Sequence, residues 1–356
     1  MKLEISKDLF GILYDYIKDD NVTDIKWNGH GLWINDLTKG RFLVRDENEK
    51  PVILSEDFLK IFTGRIANSV NENFNVSTPS LKAECESLRI QAMHGSISDD
   101  GHIALAIRKT PSIARLAKYD LIKDGYVDEI TARLLPVLMR SRMSGIITGD
   151  VGAGKTELEK YLAGFIKDED GIFTIEDTLE MKLKTLYPDK DIYSVKIDEN
   201  YGAEDGIRDA LRMMTKWLIL SEARGREIKS VMEASSTGCS NLVSIHAENV
   251  WEIPDRILNM AQSDVHSGFE NDIYTFFDYA IKVKADITDK GIKRSIDQLC
   301  FFDRQNKENS IVIFMIGGNL TYKPLPDGIV LKMINAKERG FITWYNEIAK
   351  RMRVNE

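Results

Sequence analysis

The chain has 356 residues, of which 43% are hydrophobic and 29% are charged, and its formal net charge is −8. That length exceeds what one ordinary core supports, so we expect two globular domains. The acidic balance and the lack of any run of basic residues argue against direct binding of nucleic acid.

The N-terminus and the cysteines indicate the compartment. The opening MKLEISKDLF has no basic stretch followed by an apolar one, so we expect no signal peptide, and no window of 18 apolar residues predicts a membrane-spanning helix. Cys85, Cys239 and Cys300 are odd in number and far apart, which fits neither a disulfide framework nor a CxxC metal site. These features predict a protein of the reducing cytoplasm.

The first hundred residues alternate short apolar runs with turn residues. Asn28-Gly29 lies between two such runs and is a hairpin signal, while Ser55 is a candidate N-cap. The predicted elements are strands at 22–27, 31–35, 41–44, 88–93 and 103–107 and a helix at 56–70. We therefore predict an α+β domain on an antiparallel sheet over residues 1–111, followed by a linker at 112–127.

From Asp128 onward, strands alternate with helices. The predicted helices are 129–142, 155–166, 203–214, 227–235 and 251–262, and the predicted strands are 145–148, 172–175, 192–197, 217–220 and 242–245. This alternation predicts an α/β domain with a largely parallel, helix-covered sheet. After Asp272 the pattern indicates strands at 279–283 and 310–316 and a helical tail at 341–353, with no functional motif.

A phosphate-binding loop follows the strand at 145–148. The pattern G-x-x-x-x-G-K-[ST] is matched in full by Gly149, Asp150, Val151, Gly152, Ala153, Gly154, Lys155 and Thr156. The glycines allow close approach of the backbone, the lysine reaches the β- and γ-phosphates, and the threonine hydroxyl binds Mg²⁺. Chance produces this pattern in about 1% of chains of this length, and here it also has the required strand before it and helix after it.

Acidic residues follow two of the other strands. Glu176-Asp177 comes after 172–175, and Ser221-Glu222 comes after 217–220. The carboxyl ends of parallel strands share one edge of a sheet, so both groups would face the loop if their strands adjoin the loop strand. Most acids after strands are solvated turn residues, but the phosphate loop favours a catalytic interpretation here.

Three basic side chains have two interpretations each. His246 follows the strand at 242–245 and is either a structural histidine or a catalytic one. Arg208 and Arg212 share one face of a predicted helix and either form surface salt bridges or stabilise an anion.

Taken together, four ordered segments resemble the type II/type IV secretion ATPase superfamily. Gly149–Thr156 is similar to its Walker A motif, Thr174–Glu180 to its Asp box, Trp217–Gly225 to its Walker B motif and Thr237–Asn249 to its His box. In the N-terminal half, Val22–Gly29 is similar to the opening hairpin of the superfamily. Leu88–Gln91 and Ile107–Ser112 resemble the conjugation-type branch, which belongs to type IV secretion, and the resemblance covers roughly residues 20–260.

The resemblance implies a RecA-like P-loop NTPase domain over 128–356, with an extension from about 272, preceded by the α+β domain. It further implies a homo-hexamer that uses ATP and Mg²⁺. Its partners would be other secretion ATPases and inner-membrane components, with peripheral membrane contact. Arg89 and Arg108 match arginines that approach the terminal phosphate.

The chain departs from the superfamily pattern at several positions. Ser221 replaces a glycine, Cys239 a histidine, Glu157 a threonine, and residues 84–87 replace a turn. Glu157, a predicted nucleotide-contacting position, adds negative charge that would slightly weaken phosphate attraction.

The site residues receive provisional roles in ATP hydrolysis. Lys155 neutralises phosphate charge, Thr156, Glu222 and Asp177 are the metal-site residues, and Glu176 polarises the water with help from His246. The choice of base between Glu176 and Glu222 is open. The alternative functions are a pilus-assembly or type II secretion ATPase, a RecA-like nucleic-acid motor, and a nucleotide-binding scaffold without hydrolysis.

Overall fold

The computed structural model describes residues 4–85, 87–110, 113–118, 120–261, 268–288, 291–305 and 307–354. The chain divides into two compact units, Met1–Ser112 with Asp286–Lys293 and Ile113–Ala285 with Arg294–Glu356. Most of the segment predicted as a linker, 113–127, thus groups with the second unit, while an eight-residue piece from the C-terminal third groups with the first. Within the described ranges, no helix combines the length and apolar character needed to cross a membrane.

The N-terminal unit is built on an antiparallel sheet. Its strands are β1 (Val22–Trp27), β2 (Leu32–Asp36), β3 (Gly40–Leu43), β4 (Ser80–Cys85), β5 (Leu88–Met93) and β6 (Ala104–Lys109), and its helices are α1 (Lys7–Phe10), α2 (Tyr14–Lys18) and α3 (Glu56–Ser69). The strand order is β3-β2-β1-β6-β5-β4. This arrangement confirms the predicted antiparallel α+β domain.

Local sequence explains how this unit closes around its core. The Ser55 hydroxyl accepts a hydrogen bond from the Phe58 amide at 3.2 Å and so caps α3, as predicted. Phe62 and Ile66 on the buried face of α3 pack with Ile25 and other inward-facing strand residues. Alternate residues of the strands point to this core, which gives the period of two seen in the sequence.

The second unit contains the longer sheet. Its elements are α4 (Glu129–Arg140), β7 (Gly145–Thr148), α5 (Lys155–Ala163), β8 (Ile172–Glu176), α6 (Leu183–Leu186), β9 (Ile192–Lys196), α7 (Ala203–Arg212), β10 (Trp217–Leu220), α8 (Glu227–Ser236), β11 (Ser240–Ser244), α9 (Ile253–Ala261), α10 (Phe269–Phe276), β12 (Tyr279–Thr288), β13 (Gly291–Gln305), β14 (Glu308–Ile316), β15 (Asn319–Leu320), α11 (Asp327–Asn335) and α12 (Arg339–Val354). The tips of β12 and β13 belong to the segment that groups with the first unit.

The order of these strands is β15-β14-β13-β12-β7-β11-β10-β8-β9. The strands from β12 to β9 pair in parallel, and β13, β14 and β15 continue the sheet with antiparallel pairs. Every residue of β7 and β10 is buried, because helices cover both faces of the sheet at its centre. The predicted α/β fold is therefore confirmed.

One condition of the sequence argument is not met. The strands that carry the two acidic groups, β8 and β10, do not adjoin the loop strand β7, since β11 lies between β7 and β10 and β12 lies on the other side. The carboxyl ends of all these parallel strands still lie along one edge of the sheet. The distance between the acids and the phosphate loop is therefore set by the loops that follow the strands.

Candidate functional site: a phosphate loop with a carboxylate cluster

The phosphate loop has the backbone conformation that its glycines predict. Gly149 has φ +147°, and a Cβ at this position would lie 2.3 Å from the Val283 carbonyl oxygen, so only glycine fits beside β12. Gly154 has φ +102° and directly precedes Lys155, the first residue of α5. The loop therefore ends at a helix N-terminus, where free backbone amides favour an anion.

The Lys155 side chain lies across the loop. Its Nζ donates a hydrogen bond to the Gly149 carbonyl at 2.7 Å. Partial burial lowers the pKa of Lys155, and the negative charges of Glu222, Glu159 and Asp150 oppose that effect. A cation held by loop carbonyls can turn to a phosphate, because a charge-assisted hydrogen bond is the stronger one.

Four side chains after β8, β10 and β11 form what we call the Glu222 cluster: Asp177, Glu222, Arg224 and His246. The Glu222 carboxylate lies 2.7 Å from Arg224 Nη2 and 3.0 Å from His246 Nε2. Arg224 also pairs with Asp177 at 2.8 Å. The hydrogen bond from Arg224, followed by the charges of Arg224, His246 and Lys155, lowers the pKa of Glu222, so its carboxylate is ionised at neutral pH.

Backbone hydrogen bonds hold the cluster beside the loop. The buried Thr148 hydroxyl, at the end of β7, donates to the Ala247 carbonyl and accepts from the Ala247 amide, both at 2.8 Å. The Ala223 amide donates to the Ser244 carbonyl at 2.8 Å. These contacts fix the residues next to His246 and Glu222, and they compensate for the separation of β10 from β7.

Glu176 has a different environment from Glu222. Its side chain is 1% exposed, and its carboxylate accepts hydrogen bonds from the amides of Glu180 at 2.8 Å and Met181 at 2.9 Å and from the Thr174 hydroxyl at 3.2 Å. Burial raises the pKa of Glu176 against the opposing effect of these bonds. The residue therefore organises the loop after β8, and its role as the base stays a prediction.

The side chains proposed for magnesium carry oxygen atoms, the ligand type that this ion prefers, and their joint coordination stays a prediction. Mg²⁺ takes oxygen ligands and usually keeps several waters, with one or two carboxylates and the substrate phosphates around it. Thr156 follows Lys155 on α5, and Glu222 and Asp177 are joined through Arg224. Among the described residues, no three His, Cys, Asp or Glu side chains are grouped to hold a metal ion.

Glu157 is occupied by contacts within the protein. Its carboxylate lies 3.0 Å from Lys160 Nζ and accepts the Arg115 backbone amide at 3.0 Å. The Lys160 charge offsets its own, so the predicted weakening of phosphate attraction is smaller than the sequence alone indicates. Among the other loop residues, Val151 is exposed and Ala153 is buried.

The predicted arginines lie in separate places. Arg208 and Arg212 are exposed on α7, where they pair with Asp205 at 3.4 Å and Asp209 at 3.5 Å. These contacts match the surface salt-bridge interpretation within one chain, and anion stabilisation stays a prediction.

The other two predicted arginines lie in the N-terminal unit. Arg89 on β5 and Arg108 on β6 are direct cross-strand neighbours, and Arg108 Nε lies 3.0 Å from an Asp24 carboxylate oxygen. Their contact with nucleotide also stays a prediction.

In the His box, burial raises the pKa of the Cys239 thiol to about 11, so this residue is a neutral thiol at physiological pH.

Two residues near the phosphate loop were not identified from the sequence. Glu159 on α5 is completely enclosed, and neither carboxylate oxygen has a hydrogen-bond partner within the described part of the chain. Its spacing of four from Lys155 could have indicated that both share a helix face. Arg294 donates from Nε and Nη2 to the Gly152 carbonyl, each at 3.2 Å, and no local signal predicts so distant a contact.

Comparison with known proteins identifies a family. Residues 80–308 match the family model described as "Type II/IV secretion system protein". The uncharacterized protein pXO2-25 of Bacillus anthracis is 27% identical over 315 residues, which are 85% of this chain and 70% of that relative. The type IV secretion system protein VirB11 of Brucella suis is 27% identical over 214 residues, 51% of this chain and 58% of its own.

A solved structure shares the fold. The X-ray structure of the Legionella pneumophila ATPase DotB superimposes with a TM-score of 0.59 at 16% identity, covering 93% of this chain and 88% of DotB. At that identity the likeness establishes the fold alone. Because the family model spans more than half of the sequence, including the phosphate loop and the Glu222 cluster, the chain belongs to the type II/IV secretion system protein family.

Proposed function

We propose that the chain hydrolyses Mg-ATP to drive a type IV secretion apparatus. The observation that carries the proposal is a complete phosphate loop at the end of β7, hydrogen-bonded through Thr148 to the residue after His246, which with Arg224 holds the Glu222 carboxylate. A phosphate-binding cation next to an oriented, ionised carboxylate is the arrangement that phosphoryl transfer to water requires.

The chemistry follows from these side chains. Water attacks the γ-phosphorus while the bond to the β–γ bridging oxygen breaks and ADP keeps the electron pair. Lys155 leaves the Gly149 carbonyl and binds the phosphate oxygens. Glu222 orients the water and takes its proton. Thr156 and Asp177 would hold Mg²⁺ and Glu222 would contact its waters, and the bound ion would neutralise phosphate charge.

Accessibility favours Glu222 over Glu176 as the group that meets the water. The Glu222 side chain is 24% exposed, whereas Glu176 is almost fully buried with its carboxylate engaged by backbone amides. A lowered pKa makes Glu222 a weak base, but phosphoryl transfer depends mainly on positioning and charge stabilisation. Glu176 then supports the site by shaping the loop that carries Asp177.

Steady-state release of phosphate tests this assignment. We expect Glu222→Gln to lower kcat by about a hundredfold or more, the usual contribution of a positioned acid–base group. In Glu176→Gln the amide oxygen can still accept from the Glu180 and Met181 amides, which share one carboxylate oxygen, so we expect a smaller loss in kcat. A Glu222→Gln protein with wild-type turnover would contradict the role of Glu222.

The assembly is part of the same proposal. Membership of the secretion family, and the likeness to VirB11 and to the DotB fold, support a homo-hexamer that works with other secretion ATPases at the inner face of the membrane. In that hexamer, Arg89 and Arg108 would approach the terminal phosphate, and Arg208 and Arg212 would stabilise charge between neighbouring subunits. Mass photometry of the purified chain with Mg-ATP tests the hexamer directly.

A further inference from the structure

Arg294 spans the phosphate loop from the C-terminal part of the chain. Its guanidinium donates twice to the Gly152 carbonyl, and its Cδ would lie 3.1 Å from a Cβ built on Gly154. The aliphatic stem thus runs past Gly154 while the charged head lies on Gly152. A side chain in this position is a second cation on the loop, in addition to Lys155.

The Gly152 carbonyl is a weak acceptor for the Arg294 guanidinium. The two hydrogen bonds share a single neutral carbonyl oxygen at 3.2 Å, which is the long end of the N–H···O range. Bonds from arginine to phosphate oxygens are shorter and about twice as strong, and the planar guanidinium can make two of them in parallel. Phosphate oxygens at the loop would therefore be stronger acceptors than the Gly152 carbonyl for the Nε and Nη2 groups of Arg294.

The first residues of β13, the strand that carries Arg294, pack closely against the turn at Leu37. The Ile292 amide donates to the Leu37 carbonyl at 3.1 Å. Gly291 has φ +106°, and a Cβ there would lie 2.4 Å from the Leu37 carbonyl oxygen, so the tip fits this turn only with glycine. The turn is itself fixed, because the buried Asp36 carboxylate accepts the Thr38 amide at 2.7 Å and the Lys39 amide at 2.9 Å.

We infer that Arg294 is a nucleotide-phosphate ligand that exchanges the Gly152 carbonyl for phosphate oxygens. We further infer that this exchange alters the hydrogen bond of the Ile292 amide, two residues away on the same strand. The inference rests on the proposed function, since it requires a nucleotide in the loop. A tip held by a defined hydrogen bond on a stiff turn responds to a displacement of Arg294 by straining or losing that bond. The hairpin of β12 and β13 would thus report whether the loop is occupied.

Equilibrium binding of a fluorescent ADP analogue and of AMP-PNP, both with Mg²⁺, tests the first part. We expect Arg294→Ala to weaken binding by about tenfold, the loss of one charged hydrogen-bonding contact, and Arg294→Lys to weaken it less. Lys293→Ala is the matched control, because Lys293 is the exposed neighbouring cation, and its affinity should stay within twofold of wild type. An Arg294→Ala protein that binds within twofold of wild type overturns the inference, whereas a wild-type chain that binds neither nucleotide overturns the proposed function.

Residue-resolved hydrogen exchange distinguishes two roles of Arg294, a ligand of the nucleotide or a side chain that only stabilises the phosphate loop. In the wild type, saturating Mg-AMP-PNP should change the exchange rate of the Ile292 amide. In Arg294→Ala, saturated with the same nucleotide, that change should disappear while the apo exchange pattern elsewhere is retained. An Ile292 response of equal size in both proteins would show that Arg294 does not transmit occupancy.

Discussion

Glu159 and Glu222 show how the surroundings of two carboxylates near the phosphate loop shift their pKa values in opposite directions. Glu222 is half-buried and faces Arg224 and His246, which hold its pKa below the ordinary value. Glu159 is enclosed without a hydrogen-bond partner among the described atoms, and burial together with the charge of Glu176 raises its pKa well above 4.5. Burial thus favours the protonated form of Glu159, whereas the basic neighbours of Glu222 favour its ionised form.

The proton on Glu159 predicts a pH dependence of stability. As pH rises through the ordinary glutamate pKa of 4.5, the unfolded chain loses this proton at a lower pH than the folded chain does. The unfolded state therefore binds fewer protons, and the contribution of Glu159 to the free energy of unfolding falls as pH rises from that value towards its folded pKa. Glu159→Gln removes the titration, so its stability relative to wild type should increase between about pH 4 and about pH 8.

Urea unfolding of the two proteins at both pH values measures this difference. Glu72→Gln is a suitable control, because Glu72 is an exposed carboxylate in the other unit. The difference in free energy of unfolding between wild type and Glu159→Gln should change between pH 4 and pH 8. If it is the same at both pH values, the fold does not favour the protonated form of Glu159.

At the scale of elements, the end of β7 shows how hydrogen bonds outside the motif build the site. The Thr148 hydroxyl is engaged with both the amide and the carbonyl of Ala247. We expect Thr148→Val, which keeps the shape but removes the hydroxyl, to lower the free energy of unfolding by about 1–3 kcal/mol. It should also reduce kcat, because the residue before Ala247 is His246, whose contact orients Glu222.

A matched substitution isolates this effect. Thr343→Val alters an exposed threonine on α12 and should leave both stability and turnover unchanged. Wild-type turnover in Thr148→Val would show that the residues around His246 keep their position without this pair of hydrogen bonds.

The predictability of each element follows from the range of the forces that shape it. Strands β1, β5, β7 and β10 and the phosphate loop were predictable because local periodicity and a local motif encode them. The long β13 was not, since residues 298–302 are all buried and a bulge between Leu299 and Cys300 breaks the alternation. The contacts of Arg294 and Thr148 join residues about a hundred or more positions apart, and sequence patterns carry no signal at that distance.

At the scale of the whole molecule, the exposed arginines of α7 test the assembly. The salt bridges of Arg208 and Arg212 within their own helix are long and solvent-exposed, so each contributes at most about 1 kcal/mol to stability. If a neighbouring subunit's nucleotide is their target, Arg212→Ala should keep Mg-ATP affinity and melting temperature but lose most of its turnover in the hexamer.

Measuring turnover per subunit as a function of protein concentration makes this prediction specific. Wild-type turnover per subunit should rise as the chain assembles, and Arg212→Ala should assemble without the rise. Arg65→Ala, which removes an exposed arginine from the other unit, should behave as wild type. An Arg212→Ala hexamer with full turnover would place the catalytic arginines elsewhere.

The central claim is that one triphosphate binds at the loop that Lys155 crosses and that the Glu222 cluster faces. Isothermal titration of the purified chain with Mg-ATP, carried out on wild type and on Lys155→Ala, tests it most directly. The account predicts saturable binding to the wild type and a loss of about a hundredfold or more in Lys155→Ala, since a partly buried cation would be removed from a phosphate site. Equal affinity in the two proteins, or no binding to the wild type, would contradict it.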